Sequence, residues 1–306
     1  MDTALVITQL LNGVQLGVLL FLVAAGLTLV FGIMDFVNLA HGALYMVGAF
    51  FCASVALWLD SFTLALLIAL PATFAVGFLV ELLVIRFLYH RDHLDQVLAT
   101  FGLILVFDTL VQIIFGPAGL TFALPQILNG RVDLGVTEFP VYRLLIIASG
   151  LLVAAGLFFI IQKTRVGMLV RAGASNRTMV IALGVNIESL FRFVFATGAM
   201  LAGLGGMMIT PITEASIGMG SDILLIAFVV IIIGGIGSIR GAFIAALIVG
   251  LIDTMGRSFL DDFMKLFVSN QVAETSAPAL SAMLVYILMA AILYFRPQGL
   301  FPPKSR

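Results

Sequence analysis

The sequence predicts an all-α polytopic membrane protein with eight or nine embedded helices, and three observations carry that class. Hydrophobic residues make up 62% of the 306 and charged residues only 10%, whereas about a quarter of a soluble domain is charged. The mean hydropathy is +1.22, and apolar runs of about 20 residues recur, each long enough to cross about 30 Å of hydrocarbon as a helix. The third observation is an interruption. Lys163 to Arg192 is long, polar and basic, with Lys163, Arg165, Arg171, Arg177 and Arg192 against the single acid Glu188. Short loops that retain Lys and Arg stay cytoplasmic, so this segment is expected inside. It separates the halves of one transmembrane domain, 1–162 and 193–306.

The first span is read from Leu5 to Phe31, with Gly13, Gly17 and Gly26 as small contact points between helices. The next stretch, Gly32 to Phe50, puts Asp35, Asn38 and His41 between two apolar segments, which predicts an extended or broken helix. A span over about 61–86 holds Pro71 and Glu81 and ends in the polar turn RFLYHRDHLDQ. Another covers about 97–115. Between Gly116 and Arg143 the charges are balanced, which places the segment outside, and Asn129-Gly130 signals a β-hairpin turn. The span over about 142–161 leads to the basic loop. Within that loop Ser175 or Asn176 is a candidate N-cap, Gly184 a stop and Asn186 the start of a second helix, so two short helices are expected on the cytoplasmic side.

Beyond the loop, Phe191 to Ile212 is rich in small residues, and Pro211 with Glu214 marks an outer turn. Apolar segments at about 221–241 and 243–255 follow, then an amphipathic acidic segment with Asp261, Asp262, Lys265 and Glu274. A last span covers about 278–295, and Arg296, Lys304 and Arg306 form a positive tail. His41-Gly42-Ala43 and Arg240-Gly241-Ala242 each follow a glycine-containing polar run and open an apolar helix. With AAGLTLVF and LAGLGGMM before them, they suggest an internal repeat. Transporters built from related halves place their substrate route where the halves meet.

Catalytic chemistry finds no support. The chain has no GxxxxGK[ST] phosphate loop, no HExxH pair and only three histidines. GGIGSIRG follows an apolar helix rather than a strand, which favours helix packing over nucleotide binding. Cys52 is the single cysteine, so neither a disulfide framework nor a cysteine metal site is available. No positively charged n-region precedes the first apolar run, which argues against a cleaved signal peptide. A net charge of −1 gives no reason to expect a nucleic-acid partner. Polar groups at membrane depth need a reason, since a charge at a helix centre costs about 2.5–3.5 kcal/mol on insertion. Asn38 and His41 are the first candidates for a polar pathway, with the adjoining Gly42 and Tyr45, and Ser238 and Arg240 are the second. The other reading of His41 and Arg240 is as helix ends near the cytoplasmic interface. Helix N-termini beside Asn38 or Ser238 could receive a substrate carboxylate. Glu81, Asp108 and Asp253 stand singly within apolar runs, as helix-to-helix hydrogen-bonding groups or as ion-coupling sites.

Three stretches resemble one family in their order along the chain: GLTLVFGIMDFVNLAHGALYMVGAF, TRVGMLVRAGASNRTMVIALGVNIESLFRFVFATGAMLAGLGG and GGIGSIRGAFIAALIVGL. They carry N-x-A-H-G, T-x-x-G-x-x-x-R-A and G-G-x-G-S-x-x-G-A. They look like the membrane subunit of branched-chain amino-acid ABC transporters, the Liv-type permeases. The resemblance covers nearly the whole chain. It implies half of a bacterial inner-membrane importer, paired with a second permease subunit, a related chain or a copy of this one. Two cytoplasmic ATPase subunits would carry ATP and Mg, a periplasmic binding protein would deliver the solute, and this chain would hold no cofactor. It further implies an ATPase-coupling segment in the basic loop, with Arg165, Gly167, Arg171, Ala172, Arg177, Ala182 and Gly184 as its residues. Asp35 and Arg240 depart from the family's pattern, which leaves small carboxylates and amides beside branched-chain amino acids as substrate classes. The alternatives from other classes are an ion-coupled carrier, which needs a membrane carboxylate such as Asp108 or Asp253, and a passive channel for a small polar solute.

Overall fold

In the computed structural model the described residues are 3–301, without the side chains of Ile33 and Arg177; Lys304 and Arg306 of the expected tail lie outside them. The helices are α1 (Thr3–Met34), α2 (His41–Leu59), α3 (Phe62–Leu83), α4 (His93–Phe115), α5 (Val141–Lys163), α6 (Arg165–Ser175), α7 (Arg177–Ala182), α8 (Ile187–Ile209), α9 (Met219–Gly234), α10 (Ile239–Met264) and α11 (Asn270–Phe295). Among the described residues eight are long and apolar enough to cross a membrane, and α9 is a shorter apolar helix. Its 16 residues make about 24 Å at 1.5 Å per residue, short of a full hydrocarbon layer. The all-α, polytopic class therefore stands, with one small hairpin of β1 (Arg131–Asp133) and β2 (Glu138–Pro140) added.

The helix ends sort onto two opposite faces. Thr8 near the start of α1 shares a hydrogen bond with Thr137 of the hairpin (2.9 Å), and Tyr142 at the start of α5 donates to the Met208 carbonyl at the end of α8 (2.7 Å). Those ends define one face. The other gathers the end of α1, the 84–92 turn, α6, α7 and the α9–α10 turn, and with them Arg86, Arg91, Lys163, Arg165, Arg171, Arg177, Arg192, Arg240 and Arg296. Only Arg131, Arg143, Arg257 and Lys265 belong to the first face among the described residues.

α1 is the axis. Val18, Phe21 to Ala25, Leu27 and Val30 are fully buried, and a helix that is apolar and enclosed all round belongs to the interior of the bundle. Lipid provides little hydrophobic drive between helices, so contact depends on small residues that let backbones approach. A Cβ on Gly17 would lie 2.8 Å from Leu247 Cα of α10, and one on Gly26 would lie 2.5 Å from the Gly198 carbonyl of α8. One on Gly48 of α2 would meet Gly203 Cα of α8 at 2.4 Å. Helices α4 and α11 expose long apolar faces, including Leu105, Ile113, Ile287 and Tyr294, as lipid-facing surfaces should.

The break after the first span is present. α1 ends at Met34, Asp35 takes φ +53° and donates its N–H to the Phe31 carbonyl (3.1 Å), and α2 does not open until His41. Short polar Asp tolerates that left-handed conformation where β-branched or large apolar residues do not. A departure in sequence at this position is thus also a chain-reversal device.

Three readings are corrected. Asn129-Gly130 is not the hairpin turn: Asn129 closes a turn on Pro125, and the Gly130 carbonyl accepts from Val141. The hairpin reverses at 134–137, where Asp133 Oδ1 accepts the Gly135 N–H at 2.7 Å and Gly135 takes φ +82°. α10 does not stop near Met255 but continues to Met264, and α11 begins at Asn270, so the acidic segment is the ends of these two helices and their turn. The short helices of the basic loop are α6 and α7, while Asn186 caps the next span itself. The repeat's flanking stretches are also unequally placed, because AAGLTLVF lies in α1, the helix next before His41, but LAGLGGMM lies in α8, with α9 between it and Arg240.

Replacing Gly48 by Val should lower stability by about 1–3 kcal/mol through overpacking, whereas Gly102→Ala on α4, where a Cβ meets nothing within 4 Å, should be neutral or raise it by up to about 1 kcal/mol. Midpoints of thermal unfolding in detergent for the two variants check this.

Candidate functional site

The group formed by the break lies inside the bundle. Backbone N–H groups of the non-helical 35–40 stretch are caught by α4: Gln96 Oε1 accepts from Val37 (3.2 Å) and Thr100 Oγ1 accepts from Leu39 (3.2 Å). A stretch without helical hydrogen bonds survives at membrane depth only where the protein supplies partners. Asn38 and His41 are both fully buried. His41 Nε2 lies 3.0 Å from the Val23 carbonyl of α1, eleven residues above the end of that helix, so about 16 Å of helix separate the two levels. His41 is therefore an interior residue rather than an interfacial one.

Neither amide atom of the Asn38 side chain has a hydrogen-bond partner, nor does His41 Nδ1. Buried polar atoms without partners are uncommon and costly, and here three lie within four residues of chain. The N-terminus of α2 has no side-chain cap, Ala40 standing at the N-cap position. Gly42 abuts Gly220 of α9, where a Cβ would come within 2.1 Å of its carbonyl, and the Tyr45 ring and backbone lie against Gly205 and Gly206 of α8. The structure thus brings Asn38, His41, Gly42 and Tyr45 together where α1, α2, α8 and α9 meet.

Ser238 and Arg240 are not in that group. Ser238 caps α10, its Oγ accepting the Gly241 N–H (3.1 Å), which occupies the amide that a substrate carboxylate would need. Arg240 is exposed on the basic face, its guanidinium 4.8 Å from the Phe158 ring centre. Gly237 beside them packs on Gly32, six residues below Gly26, or about 9 Å along α1.

On the basic face the loop folds as two capped helices. Thr164 Oγ1 accepts the Gly167 N–H (3.2 Å) to start α6, Asn176 Oδ1 accepts from Met179 (2.9 Å) to start α7, and Asn186 Oδ1 accepts from Ser189 (3.0 Å) to start α8. Gly167 lets α6 turn tightly across the last carbonyls of α5, and Gly184 ends α7 at φ +81°. Arg165, Ala182 and Gly184 are exposed, Ala172 is half-buried, and Arg177 opens α7. Arg171 edges a small cavity of about 80 Å³ with Thr28, Gly32, Val170, Gly237 and Ile239. α6 therefore rests on the end of α1 and on the α9–α10 turn. Outward it presents Val166 and Met168, and α7 presents Met179, Ile181 and Leu183, the last 75% exposed.

Two features escaped the sequence reading. One is a buried cluster in which Glu81 Oε2 accepts Arg192 Nε at 2.9 Å and Oε1 accepts the Tyr89 hydroxyl at 2.7 Å. The second is a cleft of about 430 Å³ on the opposite face, lined by Arg257, Asp261, Glu274, Ala277, Pro278 and Ser281. At its rim Lys265 is held above its usual range by hydrogen bonds to Asp261 and then Glu274. Asp253 pairs with Arg257 through two hydrogen bonds of 2.9 and 3.0 Å. Asp108 lies half-buried on α4. Among the described residues no three His, Cys, Asp or Glu come together as a metal site.

A family profile described as branched-chain amino acid transport system / permease component matches residues 9–293. The chain belongs to that family. The permease is 29% identical over 309 residues to the high-affinity branched-chain amino acid transport system permease protein BraD of Pseudomonas aeruginosa, covering 95% of this chain and 94% of BraD. It is 28% identical over 282 residues to the corresponding protein LivH of Salmonella typhimurium, covering 85% and 89% of the two chains. A shorter likeness, 28% over 109 residues and 33% of this chain, relates it to the ribose import permease protein RbsC of Haemophilus influenzae. No solved structure matches it.

Because the Asn38 side chain makes no hydrogen bond, Asn38→Leu should leave the fold intact and raise stability by about 1–3 kcal/mol, the desolvation penalty of an unsatisfied buried group. A higher thermal midpoint in detergent is the expected result, and a lower one would show that the amide has a structural partner.

Proposed function

We propose that this permease is one of two membrane subunits of an ABC importer for branched-chain amino acids or closely related small carboxylates. The observation that carries the reading is the surface of α6 and α7. Five sizeable apolar side chains, Val166, Met168, Met179, Ile181 and Leu183, are more than 40% exposed on the face that gathers the arginines. By the positive-inside rule that face is cytoplasmic, so these side chains meet neither lipid nor the permease's own core. Exposed apolar groups rimmed by charge mark a protein-binding surface, and a permease without a nucleotide motif needs an external motor. Two cytoplasmic ATPase subunits, binding ATP and Mg, would seat this segment, with Arg165, Gly167, Arg171, Ala172, Arg177, Ala182 and Gly184 shaping it. The setting is then a bacterial inner membrane, with a periplasmic binding protein on the opposite face.

The polar group at the break supplies the path. Asn38, His41 and the uncapped start of α2 offer unpaired donors and acceptors inside the bundle, and Gly42 and Tyr45 set how α2 packs beside them. A carboxylate passing the start of α2 would find backbone N–H groups pointing toward it. The orphaned atoms support an occluded conformation whose polar groups are engaged only when the path opens. An ion-coupled carrier is less well supported, since Asp253, one of its two candidate carboxylates, is already paired with Arg257. The names of BraD and LivH support branched-chain amino acids as substrates.

The test is purification of the permease with its neighbouring gene products. The wild type should co-elute with ATPase subunits, and leucine-loaded binding protein should stimulate their hydrolysis. Arg171→Glu combined with Gly184→Val should lose the ATPases while the membrane region keeps its thermal midpoint. Asn38→Leu should keep them and reduce uptake by about tenfold, the usual scale of a lost polar contact of about 1.4 kcal/mol. Purification without ATPases, with solute flux in liposomes lacking ATP, would replace this reading by a channel or carrier.

A further inference from the structure

An acid and a base meet inside the bundle where α3, α8 and the 84–92 turn converge, and nothing in the path or the docking surface uses them. Glu81 is fully buried and Arg192 about one fifth exposed. The carboxylate is shared between two elements, with Arg192 Nε of α8 on one oxygen at 2.9 Å and the Tyr89 hydroxyl on the other at 2.7 Å. Charge-assisted hydrogen bonds of this kind are short and directional, so a carboxylate with two such partners holds both in fixed relation.

Each partner leads somewhere specific. Arg192 stands on the second turn of α8, just past the Asn186 cap that ends the basic loop. Gly173 of α6 lies over Ile187 and Leu190 of the turn before it, so a displacement of α6 reaches the start of α8 directly. On the other side, the Tyr89 ring packs edge-on against Phe191 (5.4 Å, 77°) and Phe36 (6.1 Å, 85°). Phe36 is fully buried and is the second residue of the break between α1 and α2. Gln96 runs alongside, accepting from Val37 while donating to the Leu88 and Arg91 carbonyls at 3.3 and 3.1 Å. The turn that carries Tyr89 is thereby fastened to the break at two successive residues.

We infer that Glu81 is a positioning residue that ties the movement of the ATPase-docking segment to the break at 35–40, and through it to Asn38 and His41. This rests on the reading of α6 and α7 as that docking segment. When the ATPases draw α6, the start of α8 moves with it. The Arg192–Glu81–Tyr89 linkage then carries the displacement to Phe36 and Val37. Without the carboxylate, Arg192 of α8 and Tyr89 of the turn lose the acceptor they share.

The experiment uses the assembled importer in proteoliposomes and reads ATP hydrolysis and labelled-leucine uptake together. Glu81→Gln keeps an acceptor for Tyr89 and removes the charge facing Arg192. Hydrolysis should persist while ATP hydrolysed per leucine imported rises about tenfold, within the range of ordinary coupling between sites. Glu81→Asp, which retains the charge, should recover part of the coupling. Tyr89→Phe keeps the ring against Phe36 and Phe191 and should raise the ratio by a smaller factor. A Glu81→Gln complex that imports at the wild-type ratio overturns the inference. Should Glu81→Gln fail to assemble, Tyr89→Phe decides, and an unchanged ratio there overturns it equally. The Arg171→Glu, Gly184→Val variant tests the underlying reading separately: retention of its ATPases and uptake would remove the docking assignment, whereas its loss of ATPases beside a normal Glu81→Gln ratio would remove only the role of Glu81.

Discussion

Close backbone approach at glycine is the interaction on which this membrane fold depends. In water a helix bundle is held by burying apolar surface, but lipid tails are as apolar as leucine and offer no such gain. What remains is packing at short range, and α1 obtains it at Gly17 and Gly26, where neighbouring backbones occupy the space a Cβ would fill. The same device sets α2 against α8 through Gly48 and Gly203. With α1 enclosed on every side, the polar departures from helix are confined to places that the surrounding helices can cover.

The break at 35–40 shows what that cover permits. Each unpaired backbone group in hydrocarbon costs several kcal/mol, so a non-helical stretch must be answered donor by donor. Gln96 and Thr100 answer Val37 and Leu39; nothing answers the side chain of Asn38. The Val37 and Leu39 donors are satisfied and the Asn38 side chain is not, which is the distribution expected of a scaffold that holds a polar group ready rather than one that uses it for stability.

The sequence made the spans, the break and the basic loop legible because each is a statement about one segment's transfer free energy. Hydropathy located the spans, often to within a few residues, and Asp35, Asn38 and His41 announced a break because no apolar helix tolerates them without reason. Partnership was not legible. Glu81 and Arg192 were both conspicuous singly, yet they are 111 residues apart, and nothing in either segment names the other. The hairpin turn was misplaced because Asn-Gly is a strong local signal, whereas the register was decided by Asp133 and Gly135 a few residues on. α6 was missed although Thr164 is an ordinary N-cap, since its arginines and glycines read as loop until the helix is seen resting on α5 and α8. Ser238 shows the converse error, a polar residue beside a helix start that is occupied by capping that helix.

The arrangement also explains why one chain can be both rigid and movable. Glycine contacts are stiff: they leave no slack for a helix to rotate without a clash between backbones. Motion must then pass through places where such contacts are absent, and the 35–40 stretch is one, held by side chains of α4 rather than by backbone fit. The 84–92 turn is another, tied to its surroundings by Gln96, Tyr89 and the Glu81 carboxylate. The turn belongs to the basic face, and the 35–40 stretch leads from there to His41. A displacement entering at α6 therefore meets, in order, a rigid helix start, a charged linkage and a backbone already free of helical hydrogen bonds. That sequence of stiff and compliant parts is what the coupling proposed through Glu81 would use.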